Sequence, residues 1–130
     1  MSAKSQDEET ILEFVRGERP WNELQAVGIR IKLDGDRCEV ENPRQIIAVA
    51  NAHDLAQGLL KYLSDREKLR TWAFIVQAAS VFVDLDVEQH PNGEVLLDAL
   101  WNAAHGNPVA EESVQAAEQL IDDAPRLCKP

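Results

Sequence analysis

Within Asp84-Leu85-Asp86-Val87-Glu88-Gln89-His90, four side chains able to hold a hard metal or move a proton recur at every second position. In an extended segment such positions point the same way, so the spacing could gather three carboxylates and an imidazole on one side. That is the chemistry of a small metal-dependent hydrolase, with Asp84, Asp86, Glu88 and His90 as its candidate cluster. An EF-hand loop counted from Asp84 needs Gly at its sixth position and Glu at its twelfth, where the chain has Gln89 and Val95. The EF-hand reading fails, and acids just before a helix are favoured by its positive amide end with no metal bound. The expectation is therefore no metal site and no cofactor.

Other routes to catalysis find little support. His53, His90 and His105 fall in no HExxH or HxH spacing, and no GxSxG, GxGxxG or GxxxxGKS/T is present. The glycines stand where turns and helix ends are expected, leaving no phosphate-cradling loop. Cys38 and Cys128 are far apart in sequence with no CxxC, which predicts two reduced thiols, Cys38 as a small buried hydrophobe. No catalytic residues are assigned, and the reading leans away from an enzyme.

A different kind of site emerges when residues 94–105 are projected at about 100° per residue. Leu96, Leu97, Leu100 and Ala104 form an inward arc, while Glu94, Asp98, Asn102 and His105 form an adjacent polar strip with Trp101 on the border. Carboxylates beside an aromatic anchor suit a protein-binding surface, since aromatic residues often dominate interface energetics. The competing reading is that Trp101 only seals the edge of the core. The partner-binding candidates are Asp84, Asp86, Glu88, Glu94, Asp98 and Trp101.

Charge supports that choice. The chain has 13 Lys and Arg against 23 Asp and Glu, a net charge of −10. Residues 1–41 contribute −4, residues 42–83 contribute +2, and residues 84–130 contribute −8. Phosphate contacts require clustered Lys and Arg, so direct nucleic-acid binding is disfavoured. Lys61, Arg66, Lys68 and Arg70 do gather, but Asp65 and Glu67 interrupt them, and a mixed solvated face is expected there.

The elements that must position these residues read as one domain over 1–130, a length that can bury a core without staples. A capping box at Ser5–Glu8 starts a helix over about 6–16, followed by a short turn placing Trp21 and Leu24 inward. Alternation from Val27 to Leu33 predicts a strand, and Asp34-Gly35 a two-residue hairpin loop pairing Leu33 with Asp36, Ile31 with Cys38 and Ile29 with Val40. Asn42-Pro43-Arg44-Gln45 predicts the start of a long helix to Tyr62 or Leu63, and Ser64–Glu67 a third helix from Arg66 to about Val83. Residues 84–90 are expected as a polar connection. A fourth helix should run to His105, and a fifth from Val109 to Asp122 or Asp123, with Pro125 as its stop. The fold class is α+β, mainly α: an N-terminal helix, one antiparallel β-hairpin, then a bundle of four helices.

The first ten residues lack an apolar stretch after their charges, and the most apolar run, Trp72–Val83, is shorter than a membrane span. A cytoplasmic chain with no membrane contact is expected. The functional expectation is a non-enzymatic acidic protein-binding module, such as an immunity protein or antitoxin-type inhibitor, engaging a basic surface on a protein partner. In size, acidity and helical character the chain is similar to bacterial immunity proteins; the likeness rests on no motif, so no residue roles come with it. The alternatives are the hydrolase above and a structural homo-oligomeric adaptor, with monomer and homodimer both open.

Overall fold

The computed structural model describes residues 6–34, 37–78, 82–87 and 90–128, with the backbone alone described from 123 onward. The chain runs α1 (Gln6–Val15), a 3-10 helix (Trp21–Val27), β1 (Arg30–Asp34), β2 (Arg37–Glu41), β3 (Ala48–Asn51), α2 (Ala52–Tyr62), α3 (Arg66–Ala78), β4 (Val83–Asp86), α4 (Gly93–Ala104) and α5 (Glu111–Cys128). It is a mainly helical α+β fold in which an N-terminal helix and a hairpin precede four further helices. No helix among the described residues is long and apolar enough to cross a membrane.

The hairpin forms in a register two residues away from the expected one, which keeps each side chain on its face. Asp34 lies opposite Arg37, Leu33 opposite Cys38 and Ile31 opposite Val40, so Gly35 and Asp36, outside the described residues, fall between the strands. Charge explains the shift. The observed register sets Arg30 against Glu41, Lys32 against Glu39 and Asp34 against Arg37, three opposite-charge pairs on the exposed face. The expected register would have put Lys32 opposite Arg37, two like charges. The apolar face is kept, with Leu33 taking the place of Ile29.

The long helix from Asn42 does not form. Asn42 instead closes a turn, its side chain accepting from the Ile46 amide at 3.2 Å and donating to the Ile46 carbonyl at 2.8 Å. Gln45 takes a left-handed φ of 56° within it. Residues 48–51 form β3, and the helix starts only after Asn51, which accepts from the Asp54 amide at 2.9 Å while Asp54 accepts from the Asn51 amide at 3.1 Å. This capping box satisfies two amides at once, while the Asn42 side chain is committed to the Ile46 backbone and caps no helix. The third helix likewise ends at Ala78, short of Val83.

Val83–Asp86 is β4 and lies parallel to β3, with Ala48 beside Val83, Val49 beside Asp84, Ala50 beside Leu85 and Asn51 beside Asp86. A parallel pair needs a long crossover, and α2 with α3 supplies it. Ala48, Ala50 and Val83 face the core while Val49, Asn51, Asp84 and Asp86 face out. The fifth helix passes through Pro125 to Cys128, beyond its expected stop.

The core is continuous across α1, the crossover helices and α4, with Ile11, Phe14, Leu55, Leu59, Ile75, Phe82 and Leu96 each at most 1% exposed. Gly58 sets the closest approach. A Cβ there would lie 2.0 Å from the Val15 carbonyl oxygen and 2.4 Å from Trp72 Cζ2. That missing side chain lets the Trp72 indole sit between α1 and α2 and donate Nε1–H to Val15 O at 3.1 Å. Trp72 is thus a buried core residue, whereas Trp21, expected to point inward, is half-buried.

Candidate functional site

Helix α4 is fixed at both ends by its own chain. His90 Nδ1 accepts from the Asn92 amide at 3.0 Å, and the His90 carbonyl accepts from the Gly93 amide at 2.9 Å. At the far end Gly106, at φ 75°, donates to Ala103 O at 3.1 Å, the left-handed ending that glycine allows without steric cost. Leu96, Ala99, Leu100 and Ala103 are buried, and α4 packs against α3, α5 and α2. The buried Ser113 hydroxyl donates to Val95 O at 3.3 Å and ties α5 alongside.

With that face committed, Glu94, Asp98, Trp101 and His105 are left exposed along one side, at spacings of four, three and four residues. The strip spans about 16 Å of helix axis. Trp101 is 50% exposed. Its indole stacks on the His105 imidazole, ring centroids 4.0 Å apart and planes 26° apart. His105 Nδ1 also lies 2.8 Å from Trp101 O, a donor contact when that nitrogen carries the proton. Beyond His105 the strip opens onto a cleft of about 760 Å³ bordered by Leu33, Arg70 and Phe74.

Asp84 and Asp86 project from the exposed face of β4, beside Val49 and Asn51. They share one side, as alternation requires, but the segment is a strand rather than the expected polar connection. Glu88 lies outside the described residues. The candidates therefore occupy two elements with different neighbours: β4 pairs with β3, whereas α4 packs among helices. Ile47 and Val49, 51% and 47% exposed, add apolar surface around Asp84 that the sequence reading missed, having placed both in a helix. Among the described residues, no group of three or more His, Cys, Asp or Glu side chains is arranged to hold a metal. His90, the fourth member of the candidate cluster, directs Nδ1 to a backbone amide.

The distribution of ion pairs separates the two ends of the chain. Arg16 pairs with Glu9 at 3.0 Å, Glu18 at 3.5 Å and Asp54 at 2.9 Å; Arg19 pairs with Glu13 and Glu23, both at 2.8 Å; Arg44 pairs with Asp7 at 2.9 Å. Burial works to lower the Arg16 pKa, but hydrogen bonds to Asp54 and Glu9 overcome it and hold the guanidinium above its ordinary range. Asp7, Glu9, Glu13, Glu18 and Glu23 of the N-terminal third are thereby paired within the fold, whereas Asp34, Glu39 and Glu41 enter no ion pair among the described residues. Among the described residues, Asp84, Asp86, Glu94 and Asp98 enter no ion pair. The basic residues Lys61, Arg66, Lys68 and Arg70 are all exposed, interleaved with exposed Asp65 and Glu67.

Comparison of the chain with protein-family models, with curated proteins and with solved structures finds no match.

Proposed function

We propose that the chain is a non-enzymatic binding module that presents the α4 strip, with Asp84 and Asp86 as a second acidic element, to a basic surface on a protein partner. The observation that carries this reading is the set of unneutralised carboxylates beside a half-exposed indole: Glu94 and Asp98 have no internal ion-pair partner among the described residues, and Trp101 keeps half its surface in water. Carboxylates left unpaired contribute an external field that speeds encounter with a cationic surface by roughly 10- to 1,000-fold. Trp101 supplies a large, stiff apolar contact at the centre of the strip, the kind of anchor that carries binding energy once water is excluded around it. An inhibitor of the immunity or antitoxin type, covering a basic site on a nucleic-acid-processing protein, is the concrete form of this proposal, acting in the cytoplasm.

The test is capture of partners from a host lysate on immobilised chain, in parallel with Trp101→Ala and with a Glu94→Lys/Asp98→Lys double variant. Binding at low salt that is lost with each variant supports the reading. A partner retained equally by all three overturns it.

A further inference from the structure

A second site lies on a different part of the molecule, between the end of α1, the 3-10 helix and the turn joining α2 to α3. Phe14, Trp21, Tyr62 and Trp72 line a cleft of about 420 Å³ there. Four of the seven aromatic side chains in the sequence therefore border one cavity. Its size is in the range of small-molecule sites.

The rings divide into a floor and walls. Phe14 and Trp72 are 1% and 2% exposed and form the floor. Trp72 is held by its Nε1–H bond to Val15 O at 3.1 Å and by the space that Gly58 leaves for its ring. Trp21 and Tyr62 are half-buried and form the accessible walls. Tyr62 stands 6.1 Å from Trp72 with ring planes 47° apart, so the two make a corner rather than a flat stack. The remaining rim is charged, with the exposed Asp65 and Glu67 facing the same cleft as Lys68. Asp65 caps α3, its carboxylate accepting from the Lys68 amide at 3.1 Å. Glu67 makes no ion pair among the described residues.

We propose that this cleft binds an alkylated ammonium cation. Aromatic faces attract such cations through their negative π surface, most strongly where water is excluded, and a trimethylammonium group also prefers apolar walls because it has no N–H to satisfy. A nearby carboxylate adds Coulomb attraction without demanding a hydrogen bond. Aromatic walls alone would accept a neutral apolar group equally well; the rim carboxylates select the cation. Lys68 opposes binding as a like charge on the same rim. The cation could arrive as a choline-type headgroup or as a methylated lysine side chain, which share the recognised chemistry.

The test is titration of the full chain with tetramethylammonium, choline and free trimethyllysine, followed by tryptophan fluorescence and NMR, with 3,3-dimethylbutanol as the uncharged isostere of choline. Saturable binding of the cations, at least about tenfold tighter than the alcohol, is expected. Glu67→Gln should weaken it several-fold and Lys68→Ala should strengthen it; both positions are exposed, so the fold is preserved. Tighter binding of trimethyllysine assigns the source to a modified protein, tighter binding of choline to a headgroup, and either order supports the ammonium site. The proposal is overturned if no cation saturates, if the alcohol binds as well as choline, or if both charge variants leave affinity unchanged. Loss of binding through Glu94, Asp98 and Trp101 leaves this result untouched, because none of them lines the aromatic cleft, although Glu67 and Thr71 border both it and the cleft beyond His105.

Discussion

Trp101 and His105 stack one helical turn apart at the exposed end of α4, their ring centroids 4.0 Å apart. An indole in that position would otherwise sample several rotamers; the imidazole beneath it selects one. On the proposed reading, Trp101 is thus partly ordered before a partner arrives, which would reduce the side-chain entropy lost on binding.

Replacing His105 by Ala should release the indole without unfolding the chain. The pair is exposed, so the expected stability loss is about 1 kcal/mol or less. Trp101 fluorescence should shift toward that of a fully hydrated indole, and partner binding should weaken although no charge has been removed from the carboxylates. An unchanged emission spectrum would contradict the stacked arrangement.

Gly58→Ala should be among the most damaging single-methyl additions in the protein. The new Cβ would fall 2.0 Å from a backbone oxygen and 2.4 Å from the Trp72 ring, so α1 and α2 would have to separate. A loss of about 2 kcal/mol or more is expected in denaturant unfolding. A loss of a few tenths would mean that α2 does not approach α1 this closely.

The apolar face of the hairpin and the exposure of Glu94, Asp98 and His105 along α4 were legible in the sequence, although the hairpin register and the half-burial of Asn102 were not. The legible features depend on local periodicity. The parallel pair β3–β4 was not legible, because Ile46–Ala50 is an apolar run that suits a helix as well as a buried strand, and Asn42-Pro43 advertised a helix start more strongly than Asn51-Ala52 did. Val83, Leu85 and Val87 alternate with Asp84, Asp86 and Glu88, a strand signal that was instead weighed as ligand spacing. Only the partner strand, more than thirty residues earlier, decides between those uses. The aromatic cleft was equally hidden, since Phe14, Trp21, Tyr62 and Trp72 come from four separate elements.

Asp54 couples two functions that one substitution can separate. Its carboxylate closes the capping box on Asn51 and pairs with Arg16 at 2.9 Å. Asp54→Asn keeps hydrogen-bonding oxygen for the cap but loses the charge opposite Arg16, whereas Asp54→Ala loses both. Thermal or urea unfolding should rank wild type above Asn above Ala, with the Ala variant down by about 2–4 kcal/mol from cap and buried pair together. Equal stability of Asn and Ala variants would show that the cap contributes nothing.

Cys38 is half-buried on the apolar face of the hairpin, and burial pushes its thiol pKa up. The thiolate is the reactive form, so iodoacetamide labelling of the folded chain should require a higher pH than labelling of the unfolded chain. A Cys128→Ser background isolates the signal. Because the folded pKa is the higher one, the contribution to stability is complete below the pKa of the unfolded thiol and is lost as pH rises through that of the folded thiol. Labelling that sets in at lower pH in the folded chain would contradict the burial of Cys38.

The central claim concerns Glu94, Asp98 and Trp101 acting together on a basic partner. Once a partner is captured, its dissociation constant measured against salt concentration, for wild type and for Glu94→Lys/Asp98→Lys, tests this most directly. The account predicts affinity for wild type that falls steeply with salt, and at least about a tenfold loss with a flattened salt dependence for the double variant. Equal affinity and an equal salt slope for both proteins would contradict it.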